Sequence, residues 1–167
     1  IGTLLGGGLI MLTSGVSARQ FNATVARMDA IHKALLDYSI AFGKLPCPAS
    51  LTLATTDTNY GTQAASNGDT CMGGTPTANF VSSGGAVEGA VPTRTLKLPD
   101  SYMYDTWGHK FRYAVNPDKT ASNSFPPASG ENCSSTKNIW VKDATGATRT
   151  NAAVYALISH GANGHGG

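Results

Sequence analysis

The first 42 residues constrain this chain more than any other part of it. Residues 1–18 (IGTLLGGGLIMLTSGVSA) carry no charge, and the first charged side chain is Arg19. From there Phe21, Val25, Met28, Ile31, Leu35, Tyr38 and Phe42 recur every three or four residues, while Arg27, Asp29, Lys33 and Asp37 fall off that stripe. Such spacing places the apolar side chains on one face of an α-helix. Gly43 stands where a helix commonly ends in a left-handed residue, and Pro46 prevents the helix from resuming. The whole stretch to Phe42 therefore predicts one helix of about 40 residues, roughly 60 Å long at 1.5 Å per residue. A small globular head needs nothing so long. A helix apolar all round at one end and amphipathic at the other suits two environments: lipid or a helical bundle for residues 1–18, and a packed sheet for residues 19–43. A buried core helix or inserted hairpin is the alternative for the first 18 residues.

Gly6, Gly7 and Gly8 interrupt the apolar end. Each glycine costs up to about 1 kcal/mol relative to alanine inside a helix. Three in succession predict either a point where the helix melts or a point where another helix approaches closely.

The remainder, residues 44–167, predicts a single head. Only 13% of the chain is charged and its net charge is +2, with no cluster of lysine and arginine. Nucleic-acid binding therefore lacks its electrostatic footprint, and identical copies repel each other little. Residues 47–90 read as a long polar loop, rich in Thr, Asn, Gly and Ser and free of lysine and arginine. Strands are predicted at 110–115, 138–142 and 154–159, the last apolar enough to be central, joined as an antiparallel meander. One long helix followed by strands makes an α+β fold, the helix packed on a small antiparallel sheet.

Cys47, Cys71 and Cys133 form no Cys-x-x-Cys pair, which excludes zinc ribbons and thioredoxin-type motifs. Three pairings are open, as are three free thiols. Cys47–Cys71 is favoured because the two flank the same polar loop, and closing a loop of that size is worth roughly 3–4 kcal/mol in the chain-entropy model.

Several segments together resemble the type IV pilin superfamily, most nearly the major pseudopilins of type II secretion and related prepilin-type proteins. Ile1-Gly2 and the apolar run after it resemble the middle of the pilin N-terminal helix. Leu36-Asp37-Tyr38 and Gly43-Lys44-Leu45-Pro46 match the family's tyrosine and proline at the helix end. Asp105-Thr106-Trp107-Gly108 with Tyr113 is similar to the pseudopilin turn into a strand. Ile158-Ser159-His160-Gly161-Ala162-Asn163-Gly164 is similar to the loop after the last main strand. The resemblance implies an extracellular filament subunit, held in the inner membrane before assembly by a pilus or secretion machinery, and polymerising with copies of itself. Its assembly residues would be Gly2, Leu4, Leu5, Gly6, Gly7, Gly8, Ile10, Met11, Leu12 and Val16. Asp105, Trp107, Gly108 and Tyr113 would shape the head turn. The family's cleavage glycine, methylated first residue and nearby glutamate have no counterpart here. That departure predicts a chain lacking about a dozen residues at its start, counted against the family's helix. The family loop often binds calcium through acidic residues, but here Asn163 stands in place of the acid, and a hard cation wants several oxygen ligands.

Competing chemistry is thinner. His109, His160 and His165 are candidate metal ligands, yet His160 and His165 are separated by a Gly-Ala-Asn-Gly turn and make no helical pair. Ser159-His160 suggests a nucleophile beside a base, but adjacent strand residues point to opposite faces, and no Gly-x-Ser-x-Gly elbow occurs. The chain reads as a non-enzyme without a cofactor. A minor or tip subunit binding a ligand through residues 47–90, and a membrane-anchored periplasmic enzyme, are the alternatives.

Overall fold

The computed structural model describes residues 5–64, 66–67, 70–71, 80–81, 85–125 and 137–164, and for 5–14, 66–67, 70 and 80–81 the backbone alone. One helix, α1 (Leu5–Phe42), runs 38 residues, about 57 Å. It continues through Gly6–Gly8 without a break. At its end Gly43 adopts φ +63° and donates its N–H to the Ser39 carbonyl at 2.8 Å. Glycine is suited to that conformation because a Cβ would be strained there and would press on Asn123. No helix among the described residues is long and apolar enough to cross a membrane.

Among the described residues eight strands follow: β1 (Ser66–Asn67), β2 (Thr70–Cys71), β3 (Phe80–Val81), β4 (Val87–Ala90), β5 (Arg112–Val115), β6 (Ile139–Lys142), β7 (Thr148–Ala153) and β8 (Tyr155–Ile158). The main sheet has four antiparallel strands in the order β3-β4-β5-β8, and β1-β2 and β6-β7 form separate hairpins. The fold is thus α+β, a long helix packed against a small antiparallel sheet. Its core lies where Ile31 and Leu35 of α1 meet Val91, Phe111, Tyr113 and Val115. Alternation along β5 turns Tyr113 and Val115 inward, and Arg112 pairs with Glu88 of β4 at 2.6 Å.

The sheet corrects three expectations. The meander of 110–115, 138–142 and 154–159 does not form: β6 pairs with β7 rather than with β5 or β8. The neighbour of β5 is instead β4, which lies inside the stretch read as a polar loop. Its sequence, Val-Glu-Gly-Ala, is too short and glycine-broken to announce a strand, yet Val87 and Ala90 are buried. Finally, β8 ends the order of the main sheet among the described residues instead of running through its centre. The helical stripe needs correcting too. Ile31 and Leu35 are fully buried, but Phe21, Val25 and Phe42 are exposed, while Thr24 and Ser39 are buried. The head touches α1 and its cap from Gln20 to Gly43, but the side it buries takes in Thr24 and Ser39 in place of the apolar residues at the two ends of the stripe.

The disulfide is Cys47–Cys71, as favoured, and both residues are buried. It ties β2, midway along segment 47–90, to the chain leaving α1, and the Cys71 N–H donates to the Thr120 hydroxyl at 3.1 Å.

Tyr113 is fully buried and its hydroxyl donates to the Pro46 carbonyl at 3.1 Å. Burial raises its phenol pKa well above the ordinary value, and nearby Tyr155 and Tyr38 add to the shift. The folded state therefore holds this proton more tightly than the unfolded chain. Stability is unaffected below about pH 10 and falls as pH rises beyond it, by up to about 1.4 kcal/mol per pH unit for this one group. Urea unfolding midpoints measured between pH 9 and 11 should show the decline, and Tyr113→Phe should lessen it, leaving the part due to the phenols of Tyr60 and Tyr155, which burial also raises.

Candidate functional site

Two features of α1 stand out. The first is what the head leaves uncovered. Val16 is 53% exposed, Phe21 60%, Ile40 79% and Phe42 58%. Residues 15–19 are exposed all round. Exposed apolar side chains scattered singly are ordinary, and it is contiguous patches that mark interaction surfaces; these four are spread along the helix from Val16 to Phe42. Of the predicted assembly residues, Val16 is exposed. Leu5, Gly6, Gly7, Gly8, Ile10, Met11 and Leu12 lie in the backbone of α1, and Gly2 and Leu4 fall outside the described residues. Ile40 and Phe42 were not anticipated as surface residues. Ile40 carried a signal nonetheless: it is an apolar residue lying off the stripe of Ile31, Leu35 and Tyr38.

The second feature is how firmly the head grips the helix. The Thr106 hydroxyl donates to the Gln20 carbonyl at 2.8 Å. The Thr24 hydroxyl sits 2.7 Å from it and, since the Thr106 proton is engaged, is the donor of that pair. Arg27 reaches the Tyr104 carbonyl at 2.7 Å and the Asp105 carbonyl at 3.4 Å. These carbonyls lie just past a 3-10 turn at Asp100–Met103, and the Asp105 carbonyl also accepts the Gly108 N–H at 3.3 Å, so the guanidinium fastens the helix to the turn through its backbone oxygens. Arg27→Met keeps the stem and removes the donors. It should cost about 1.5 kcal/mol and lower the thermal midpoint by roughly 5 °C, measured by circular dichroism.

Beneath that grip lies the predicted turn. The Asp105 side chain is fully buried. Its Oδ1 accepts the backbone N–H of Trp107 at 3.0 Å and of His109 at 2.9 Å, and its Oδ2 accepts the Ser159 hydroxyl at 2.8 Å. The Ser159 oxygen in turn accepts the Gly161 N–H at 3.2 Å. Gly108 takes φ +88° to let the chain double back, and the Asp105 N–H closes the turn on the His109 carbonyl at 2.8 Å. One carboxylate thus joins the loop before β5 to the loop after β8. Sequence reading named Asp105, Trp107, Gly108 and Tyr113 as turn-shaping residues. The carboxylate and Gly108 do shape the turn, Trp107 lends it a backbone N–H, and Tyr113 lies farther on, in the core. The link to Ser159, 54 residues away, was not legible.

Between α1 and this turn opens a cleft of about 320 Å³, lined among others by Phe21, Val25, Met28, Trp107, His160 and Asn163. Trp107 is half-buried at its wall. A second groove of about 460 Å³ runs along the other flank of α1, floored by Ala30, Ala34 and Ala41 and walled by Leu96 and Leu98.

Ser159 and His160 make no nucleophile–base pair: the serine hydroxyl donates to Asp105. Among the described residues no three of His, Cys, Asp and Glu gather to hold a metal ion; His165 lies outside them. The ring of His109 stands 3.8 Å from Asp105 Oδ2. Comparison with known proteins adds no name to this geometry: no family model, no curated protein and no solved structure matches the chain.

Proposed function

We propose that this chain is the structural subunit of an extracellular filament and polymerises through α1, in the manner of the pilins its sequence resembles. The observation that carries the reading is the helix itself: 38 residues long, gripped by the head in its C-terminal half, with Val16, Phe21, Ile40 and Phe42 exposed. Burying each of these side chains against neighbouring copies is worth about 1.5–3 kcal/mol, and a helix repeated by a screw operation gives an open polymer. On this reading the uncharged segment 1–18 rests in the inner membrane until an assembly machinery draws the subunit into the filament. The disulfide and the Asp105 turn stiffen the head, so that a polymer of many copies keeps one repeat. The test is negative-stain electron microscopy of the protein purified from the cells that make it. Uniform thin filaments composed of this chain support the reading. Monomers at every concentration and salt condition overturn it, and a single copy at the end of a filament of another protein replaces it with a tip subunit.

A further inference from the structure

The turn after β8 holds a reactive pair. Asn163 is followed by Gly164, and both are exposed. In an Asn-Gly step the backbone nitrogen of the glycine can attack the side-chain amide of the asparagine, because no Cβ on the second residue obstructs the approach. Gly164 holds φ +71°, and its N–H donates to the Gly161 carbonyl at 3.4 Å, a long and weak bond. An amide nitrogen is a poor nucleophile while it keeps its proton, so a neighbouring base decides how fast such a step runs.

His109, in the loop before β5, supplies that base. A Cβ placed on Gly164 would come 3.3 Å from Nε2 of His109, 3.6 Å from Cε1 and 4.0 Å from Cδ2. The ring thus turns its Nε2 edge to the glycine, and the side chain is 39% exposed. Its other nitrogen, Nδ1, is closed to solvent, has no hydrogen-bond partner and lies 3.8 Å from Oδ2 of the buried Asp105 carboxylate. That distance is too long for a hydrogen bond. The negative charge still favours the tautomer with its proton on Nδ1, which leaves the Nε2 lone pair for Gly164. Carboxylate, imidazole and nucleophile stand in the order in which a third group orients a base. Asp105 also accepts the Ser159 hydroxyl, and the Ser159 oxygen accepts the Gly161 N–H. One carboxylate therefore positions both the base and the turn that carries the nucleophile.

We propose that Asn163 is a site of self-catalysed deamidation with His109 as the base. Nε2 takes the proton of the Gly164 nitrogen, directly or through a water. The nitrogen attacks Cγ of Asn163, and the new N–C bond closes a succinimide ring. The bond from Cγ to the side-chain nitrogen breaks, and that nitrogen leaves as ammonia with the proton that His109 returns. Water then opens the ring at either carbonyl, leaving aspartate or isoaspartate at position 163; nothing is oxidised or reduced. Asn163 lines the cleft beside α1, whose lining otherwise holds no carboxylate, so the reaction places a negative charge there. The site does not depend on the polymer proposed above.

The full chain is held in neutral buffer, sampled over time, digested and read by mass spectrometry at Asn163 and at Asn67, which opens the chain's other Asn-Gly step. Conversion at Asn163 is expected. His109→Phe keeps a ring and removes the base, and should slow that conversion at least roughly tenfold while leaving Asn67 unchanged. An Asn163 that stays an amide overturns the proposal, as does a rate that His109→Phe leaves unaltered or lowers equally at Asn67. The parent chain gives a second reading that needs no variant. Unfolded in urea, with Asp105, His109 and Gly164 dispersed, it should convert Asn163 at least roughly tenfold more slowly than when folded. Equal or faster conversion in urea contradicts a base set in place by the fold.

Discussion

Phe21→Lys combined with Ile40→Lys should leave the head folded, with a thermal midpoint within a few degrees of the parent, and should abolish filaments. Both side chains are exposed, at 60% and 79%, so neither contributes much to the isolated fold. Surface substitutions of this kind change stability by about 0.5 kcal/mol or less. Lysine is also a better helix former than isoleucine or phenylalanine, and near the C-terminus of α1 its charge agrees with the helix dipole. In a filament the same two positions would be surrounded by apolar neighbours. There each ammonium must either be buried, at a cost of several kcal/mol, or hold the copies apart. Multiplied over every subunit, that is enough to shift assembly from complete to undetectable. Electron microscopy and sedimentation of the variant read the outcome directly, and normal filaments would show that neither position of α1 is covered by other copies.

Asp105→Ala should damage the head severely. It removes the acceptor of three hydrogen bonds, leaving the N–H groups of Trp107 and His109 and the hydroxyl of Ser159 without partners in a site closed to water. At about 1–1.5 kcal/mol per orphaned donor the loss is about 4 kcal/mol. For a chain of this size that lowers the thermal midpoint on the order of 10 °C. Asp105→Asn keeps Oδ1 for the two N–H groups and should cost only about 1 kcal/mol. Thermal denaturation of the pair separates the two roles of the carboxylate. If alanine and asparagine behave alike, the Ser159 bond carries the turn and the two backbone bonds do not.

The long helix was legible because its signals are local. The three- and four-residue spacing of Met28, Ile31 and Leu35, and the stop at Gly43 and Pro46, need nothing from the rest of the chain. The Cys47–Cys71 pairing was favoured on similar grounds, since both cysteines flank one segment. What failed was tertiary. Phe21, Val25 and Phe42 continue the apolar spacing of the core face, and only the way the head seats on α1, burying Thr24 and Ser39 instead, decides that they stay exposed. The strand β4 escaped because Val-Glu-Gly-Ala has weak strand propensity and is held by pairing with β5 on one side and β3 on the other. β7, with its Thr-Arg-Thr-Asn sequence, is polar because its hairpin is exposed, so burial periodicity could not reveal it. In the candidate site, the Asp105 turn was visible from Asp-x-Trp-Gly, a local motif. The partners of that turn were not. Ser159 arrives from 54 residues away, and Gln20, Thr24 and Arg27 from about 80. A lone threonine or arginine on a helix carries no mark of the carbonyl it will meet.

The central claim is that α1 is the part of this chain that other copies cover. The most direct measurement is the reactivity of a thiol placed on it. Ile40→Cys, with Cys133→Ser, should react with a maleimide rapidly in unassembled protein, because position 40 is the most exposed apolar site described. In assembled filaments the same thiol should react at least roughly tenfold more slowly, as expected for a side chain packed against neighbours. Equal rates in the two states, or the lack of any assembled state in which to measure the second, would contradict the account.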